Sequence, residues 1–508
     1  MKNSFLRDRT SISTVLIVVI VIVILIIAGV GVYVATLSTS KSTTTSSSTS
    51  TLSTSTSGGV TTSTTSSVIQ VNSTTSTTAQ ITTSSLATPV TVVFGASLSL
   101  TGAAQAFGVE DNWTLVTAVN YINSLGGIPL QNGSTAKVRL VILNDQSSDT
   151  LSLSNYQLLA STYHANVLMG QLGTIDDLVA SNFATQNQIP IIGPFYLSAA
   201  KSCSNPTCSN AWTFGTFHNE TNEAQVFFNW FKTVDPPSAN HPVTIAFFEE
   251  TDDSAQANAA AGEAYAKQLG YTVCTCSDTS FTPGDSAGMQ SFLSAAMADG
   301  ADAVFGLPIP SDGVLMINTA KQIGYTPKAW LLTRGTAAAP FALSQLGGLG
   351  NLSSGVLSAF PWESGLPYVA NLLGRNISNS QIVTEYEQAL GQPPFLEGVY
   401  YSGVVVAADA ISQAANLTNV AIRQAVRTHT YQTFMGTMSF TEGGQWIQSG
   451  QYMLLQQWQI IPFGNGTIPS LQILEPTNVA TTNYIVYPFT FQNQVHAPWP
   501  PANSSSTG

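Results

Sequence analysis

The chain has 508 residues, of which 8% are charged, and a formal net charge of −12, a length that suits two or three domains. With only 15 Lys and Arg residues it lacks the clustered basic face that a nucleic-acid partner requires. Low charge with abundant Ser, Thr, Asn and Gln fits a surface turned to an outside medium, an acidic one included.

Lys2, Arg7 and Arg9 precede an uncharged apolar run from Val15 to Ala35. About 20 apolar residues, rising 1.5 Å each, cross a hydrocarbon core ~30 Å thick. The basic residues favour the cytoplasmic side, which puts everything after Ala35 outside the cell. The run is longer than the apolar region of a cleaved signal peptide. A retained single-pass membrane helix over residues 1–37 is therefore expected. Arg9-Thr10-Ser11 is also similar to the processing site of archaeal class III signal peptides, with a plain signal anchor as the alternative. From Ser38 to about Thr88 the chain is nearly all Ser and Thr, too poor in apolar surface to offset its ordering entropy, and a disordered stalk is expected.

Sequons of the form Asn-X-Ser/Thr occur at Asn72, Asn112, Asn132, Asn219, Asn351, Asn376, Asn416, Asn465 and Asn503, which suits a glycosylated exterior protein. The four cysteines form two close pairs, Cys203 with Cys208 and Cys274 with Cys276. In an oxidising compartment the first pair reads as a small disulfide loop. A zinc site is the alternative, but helpful His neighbours are missing and Cys-X-Cys is tight for metal ligation. Whether Cys274 and Cys276 are bridged stays open.

From Pro89 onward strand and helix signals alternate. Val90–Ala96 is a short β-branched run ending in a Ser/Thr/Gly loop. Asp111–Leu125 carries helical spacing and stops at Gly126-Gly127. Lys137–Leu143 is the next strand, Leu151–Tyr163 a helix, Ala165–Met169 a strand, Ile175–Gln186 a helix and Ile189–Ile192 a buried strand. This alternation predicts a parallel sheet covered by helices on both faces. The rhythm restarts with a helix at Glu220–Lys232 and a strand at Val243–Phe248. Ser254–Leu269 follows as a helix, Tyr271–Cys276 as a strand, Ser286–Asp299 as a helix and Ala303–Leu307 as a strand. Gly313–Ile323 reads as a helix and Ala329–Leu332 as a strand, completing a second doubly wound unit. Ligands of such sheets bind beyond the carboxyl ends of the strands.

Several segments, in order, carry a family likeness. Phe94–Gly108 (FGASLSLTGAAQAFG) is a strand with a Thr-Gly turn and an aromatic-Gly pair. Ile122–Ile128 (INSLGGI) and Leu140–Asp149 (LVILNDQSSD) follow, then Val167–Thr174 (VLMGQLGT) and Gln188–Pro194 (QIPIIGP). In the second unit, Phe281–Phe305 holds Pro-Gly-Asp, an amphipathic helix and an Asp-Ala-Val strand. From about Val92 to about Gln457 the chain resembles the branched-chain amino-acid binding family, the type I periplasmic binding proteins of ABC transporters.

That resemblance implies two lobes that close on a ligand about a hinge, with three segments of chain crossing between them. It places lobe 1 at 89–217 and 336–430, lobe 2 at 218–335 and 431–457, and an extension at 458–508. It also implies ligand contacts. Thr174 keeps a hydroxyl and Gly173 offers a backbone N–H where family members hold an amino acid's carboxylate, and Ser198 is the nearest hydroxyl after the fourth strand; an ordinary helix cap is the alternative. Phe107 stands where the family has an aromatic that packs on the ligand, with core packing as the alternative.

Arg334 falls where the family has an acid for the ligand ammonium, which reverses the charge. Either the ligand is anionic or neutral, or Arg334 takes a carboxylate while the Glu249/Asp253 side takes an ammonium, or Arg334 pairs internally with one of those acids.

No catalytic constellation is present. The five histidines (His164, His218, His241, His429, His496) stand apart, without a His-Glu-x-x-His or Gly-x-Ser-x-Gly motif. No metal and no cofactor is expected. The expected chain is thus α/β, two doubly wound parallel-sheet lobes joined by a hinge, preceded by a transmembrane helix and a Ser/Thr stalk. Its expected partners are a small polar solute (amino acid, amide or organic acid), an ABC permease, and the membrane through the N-terminal helix. A sensory module of the same fold is the alternative to an importer's capture subunit.

Overall fold

The computed structural model describes residues 90–170, 177–195, 212–277, 280–464, 466–492 and 495–500. The apolar run and the Ser/Thr segment lie outside the described residues. Among those described, no helix is long and apolar enough to cross a membrane. The expected transmembrane helix and stalk, and with them the single-pass topology and the membrane contact, are corrected accordingly. Both expectations rest on composition, which says what a segment would do in lipid or as a free chain and not that it does so. The apolar helix Glu397–Gln413 makes the point: it has 17 residues and is buried in a protein core.

Of the two cysteine pairs, one lies among the described residues. The disulfide expected between Cys203 and Cys208 falls on residues outside those described. The bridge found among the described residues joins Cys274 and Cys276, the pair left open. A 3-10 turn at Thr275–Ser277 curls the chain there, bringing the two Cα atoms to 5.2 Å, within bridging reach.

Lobe 1 is built on a six-stranded sheet. Its strands are β1 (Val90–Leu98), β2 (Ile128–Pro129), β3 (Thr135–Asn144), β4 (Val167–Met169), β5 (Ile191–Gly193) and β6 (Thr213–Gly215), in the order β2-β3-β1-β4-β5-β6. All neighbours are parallel except β2 with β3. Strand β1 therefore lies inside the sheet, and from Val92 to Leu98 it is buried without interruption, as a parallel strand covered on both faces must be. Helices α1 (Gln105–Ser124), α2 (Asp149–Ser161) and α3 (Asp177–Asn187) are its crossovers. Gly108 lets α1 approach closely: a Cβ there would lie 2.4 Å from the carbonyl oxygen of Ser99.

Lobe 2 opens with α4 (Glu220–Val234), held at its start by a capping box between Asn219 and Asn222. Strands β7 (Thr244–Glu250), β8 (Thr272–Val273), β9 (Ser280–Phe281), β10 (Ala303–Gly306), β11 (Ala329–Leu332) and β12 (Leu357–Phe360) follow. Helices α5 (Asp253–Gln268), α6 (Ser286–Ala298), α7 (Pro310–Ile323) and the short α8 (Ala339–Ala342) connect them. Its core is aromatic: Phe228 stacks on Phe305 at 5.2 Å and Phe231 on Tyr271 at 5.7 Å.

Hairpin β13 (Val369–Leu372) and β14 (Arg375–Ser378), helices α9 (Asn379–Leu390), α10 (Glu397–Gln413) and α11 (Asn419–Thr428), and hairpin β15 (Tyr431–Thr433) and β16 (Gly436–Met438) complete lobe 1. The chain then returns to lobe 2 as β17 (Leu454–Phe463) and β18 (Gly466–Glu475), which extend the sheet to β18-β17-β12-β11-β10-β7-β8, with β9 paired to β7. Two expected boundaries shift. Residues 336–360 belong to lobe 2 because β12 pairs with β11. Tyr431 and Met438 pack in the lobe 1 core, so the last crossing comes after the β15–β16 hairpin.

The extension is a closing piece. Hairpin β19 (Tyr484–Val486) and β20 (His496–Pro498) is held to β17 by the side chain of Gln457. That amide donates to Val486 O at 2.9 Å and accepts from Val486 N at 2.8 Å, imitating a peptide group. Phe489 N donates to Lys328 O at 2.7 Å, and its ring meets Trp330 edge-on.

Candidate functional site

The chain crosses between the lobes after β6, after β12 and before β17. The first two crossings are locked to each other. Phe217 and Phe360 pack edge to face at 5.1 Å. Beside them the buried Glu223 takes His218 Nε2 on Oε1 at 2.5 Å and the amide of Asn258 on Oε2. Thr333, at the end of β11, lies 3.3 Å from the same Oε1 and donates to Ala359 O at 2.5 Å. One carboxylate thus ties the first crossing to the strands that lead into the second.

Beyond the carboxyl ends of the lobe 2 strands lies a second buried network. Arg334 adopts φ +54°, a left-handed conformation uncommon for a side chain this bulky. Its guanidinium is buried, with Nη2 2.5 Å from Glu250 Oε2 and Nη1 3.1 Å from Asp252 Oδ2. Glu250 also accepts Ile309 N at 3.0 Å, so the loops after β7, β10 and β11 are fastened together. Burial pushes the Glu250 carboxyl up to about 8, with Arg334 pulling the other way. Gly335 permits the fit: a Cβ there would stand 2.2 Å from Pro310 N. Two acids that meet Arg334 are Glu250 and Asp252; the side chain of Asp253 lies outside those described. Asp253 opens α5, directly after its N-cap Asp252, whose side chain accepts Ala255 N at 3.0 Å.

Of the other expected contacts, Phe107 is fully buried in the lobe 1 core, 6.1 Å from Phe395. Gly173, Thr174 and Ser198 lie outside the described residues. On the lobe 1 side the loop after β1 is held by Asp145, which accepts from Ser97 Oγ at 3.1 Å and Ser99 Oγ at 2.7 Å.

A cavity of about 320 Å³ lies between the lobes, within the size range of small-molecule sites. Gln105, Val109 and Glu110 of α1 line one side, Ala338–Pro340 of lobe 2 another, and Tyr386, Gln392 and Phe395 the rest. Glu110 is nearly buried and accepts Phe395 N at 2.8 Å and Leu396 N at 2.5 Å. Burial raises its carboxyl to about 7 against the pull of those donors. Sequence reasoning missed Glu110 and Glu223. The available signal was rarity: in a chain with so few charges, an acid inside an apolar stretch has a buried partner.

Among the described residues no group of His, Cys, Asp and Glu could hold a metal ion. Two doubly wound lobes, three crossings and an interlobe cavity define the bilobal solute-binding class, which captures a solute by hinge closure for an ABC importer and carries out no catalysis. A sequence model described as periplasmic binding protein matches residues 91–465. The chain belongs to the periplasmic binding protein family.

Solved structures agree on the fold. A leucine-binding protein from Thermotoga maritima is 19% identical, with a TM-score of 0.59 over 75% of this chain and 97% of its own. An isoleucine-bound branched-chain amino-acid transporter substrate-binding protein from Streptococcus pneumoniae is 16% identical, with a TM-score of 0.58 over 76% of this chain and 100% of its own. A solute-binding protein of an ABC transporter from Rhodopseudomonas palustris, in complex with 3,4-dihydroxybenzoic acid, is 15% identical, with a TM-score of 0.55 over 75% and 95%.

Proposed function

We propose that the solute captured is a small polar molecule with an apolar part, of amino-acid or amide type, and that an ABC permease receives it. The observation that carries this reading is the interlobe cavity. Its polar lining residues are Glu110, Tyr386, Gln105 and Gln392, beside the apolar Val109, Pro340 and Phe395. Among the described residues no cationic side chain lines it, and the guanidinium of Arg334 is engaged by Glu250 and Asp252. Both facts favour an amino acid or amide over an organic acid gripped by arginine. The known solutes of similar structures, leucine, isoleucine and dihydroxybenzoate, span that choice. The test is mass-spectrometric identification of small molecules retained by the purified chain, followed by calorimetry. Retention or tight binding of an amino acid or amide is expected. An organic acid as the only bound solute would overturn the solute class, and no response to any small polar solute would overturn the reading.

A further inference from the structure

Six of the Asn-X-Ser/Thr triplets lie among the described residues, at Asn112, Asn132, Asn219, Asn351, Asn376 and Asn416, and their geometries divide sharply. At Asn132 the side-chain oxygen accepts Ser134 N at 3.0 Å and the Ser134 hydroxyl at 2.7 Å. At Asn416 it accepts Thr418 N at 2.9 Å and the Thr418 hydroxyl at 2.6 Å. In both triplets the asparagine and its hydroxyl residue are exposed or partly exposed and lie in a loop or at its edge.

The other four are committed to the fold. Thr114 is buried and donates to Glu110 O at 2.9 Å. Asn219 caps α4, accepting Asn222 N at 2.9 Å. Ser353 is buried and donates to Gly350 O at 2.8 Å. Asn376 receives the amide of Asn371 at 2.9 Å, while Ser378 turns to the hydroxyl of Ser380.

A transferase has to grip the asparagine amide and the third-residue hydroxyl together, on one accessible side of the chain. We propose that Asn132 and Asn416 are N-glycosylation sites, paired at the pole of lobe 1 opposite the interlobe cavity. The two loops touch, since Gln131 Nε2 donates to Ser412 O at 2.8 Å. Their position follows from the topology. Asn132 precedes β3 at its amino end, whereas the cleft lies at the carboxyl ends of the strands. Helix α10 starts beside Glu110, near the cavity, and ends at the Gln131 contact.

The transfer uses a polyprenyl-phosphate-linked oligosaccharide as co-reactant. The asparagine nitrogen bonds to the anomeric carbon, the bond from that carbon to the phosphate oxygen breaks, and the lipid phosphate leaves with the electron pair. The nitrogen releases one proton, and nothing is oxidised or reduced. The Cys274–Cys276 disulfide suits an oxidising compartment, the kind in which proteins acquire such sugars. Bulky glycans at this pole leave both rims of the cleft open to solute and permease.

The test is glycopeptide mapping and intact mass of the full chain isolated from the cells that make it. Sugar is expected on the Asn132 and Asn416 peptides and absent from those of Asn112 and Asn219. Asn132→Gln and Asn416→Gln should each lower the intact mass by one glycan, and Ser134→Ala should do the same with Asn132 still in place. Unmodified Asn132 and Asn416 in the natural full chain, or sugar at Asn219 or Asn112 instead of them, would overturn the proposal. The mapping alone decides it if a variant fails to fold.

Discussion

Arg334 and Glu250, 84 positions apart, meet at 2.5 Å in a place almost closed to solvent. They join the ends of β11 and β7, and through Ile309 N the loop after β10. This pair holds the cleft-facing rim of lobe 2 in shape.

Arg334→Ala is therefore expected to act on stability first. Removing one partner of a buried pair leaves the other charge unmatched and costs about 3–5 kcal/mol. Denaturant unfolding at pH 9, above the value of about 8 to which the Glu250 carboxyl is pushed, should show that loss. At pH 4 the loss should be smaller, because a Glu250 carboxyl already pushed up to about 8 is protonated there. A variant with unchanged stability and weakened solute binding would instead return Arg334 to the ligand.

Thermal stability should be highest in acid and fall as pH rises. Burial raises Glu110 to about 7, Glu397 to about 9 and Asp409 to about 6. The folded chain therefore holds more protons than the unfolded one between roughly pH 4.5 and 9, so unfolding free energy declines with pH across that window. Melting curves at pH 4, 7 and 9 test the order, and a rising Tm from pH 4 to 9 would contradict it.

Glu397→Gln should stabilise the protein at pH 8 and leave it nearly unchanged at pH 4. Both carboxylate oxygens of Glu397 are buried without a hydrogen-bond partner, and burial with the nearby Glu110 raises its pKa. Above pH 5 its neutral form is retained at a cost that an amide does not carry. Paired melts of the two proteins at both pH values provide the measurement.

Gln457→Leu should loosen the C-terminal segment. It removes both hydrogen bonds to Val486 and leaves a buried N–H and C=O unmatched, a loss of about 1–3 kcal/mol per unsatisfied group. Hydrogen exchange at Val486 should speed up while exchange in β1 stays slow.

The lobes were legible because their elements announce themselves locally. The strand Ala329–Leu332 is a four-residue apolar run between Lys328 and Thr333, and the structure ends it at the same residues. Helix α6 follows Pro-Gly-Asp, with Asp285 capping Gly288 N. Where no local signal exists, expectation and structure diverge. Helix α1 begins at Gln105, ahead of the expected Asp111, because its N-cap Ala104 offers no side-chain bond. The strand expected over Tyr271–Cys276 shortens to Thr272–Val273, since the Cys274–Cys276 bridge accompanies a 3-10 turn at Thr275–Ser277.

The site was less legible, for a different reason. Arg334 stands just after β11 and its partners come from β7 and the turn after it; pairing with that acidic run was one of three readings, and no spacing along the chain decides among them. The acids of the cavity wall and the crossings, Glu110 and Glu223, were hidden in the same way: each is recognised by backbone or side-chain groups far away in sequence.

Strand β1 lies inside its sheet, with β3 along one side and β4 along the other, both parallel to it. A pull on the amino end of β1 along the strand axis would load the hydrogen bonds to both neighbours together as shear. Such an arrangement resists a pull far better than an edge strand, whose bonds would break in succession, and the load path leads away from the cleft.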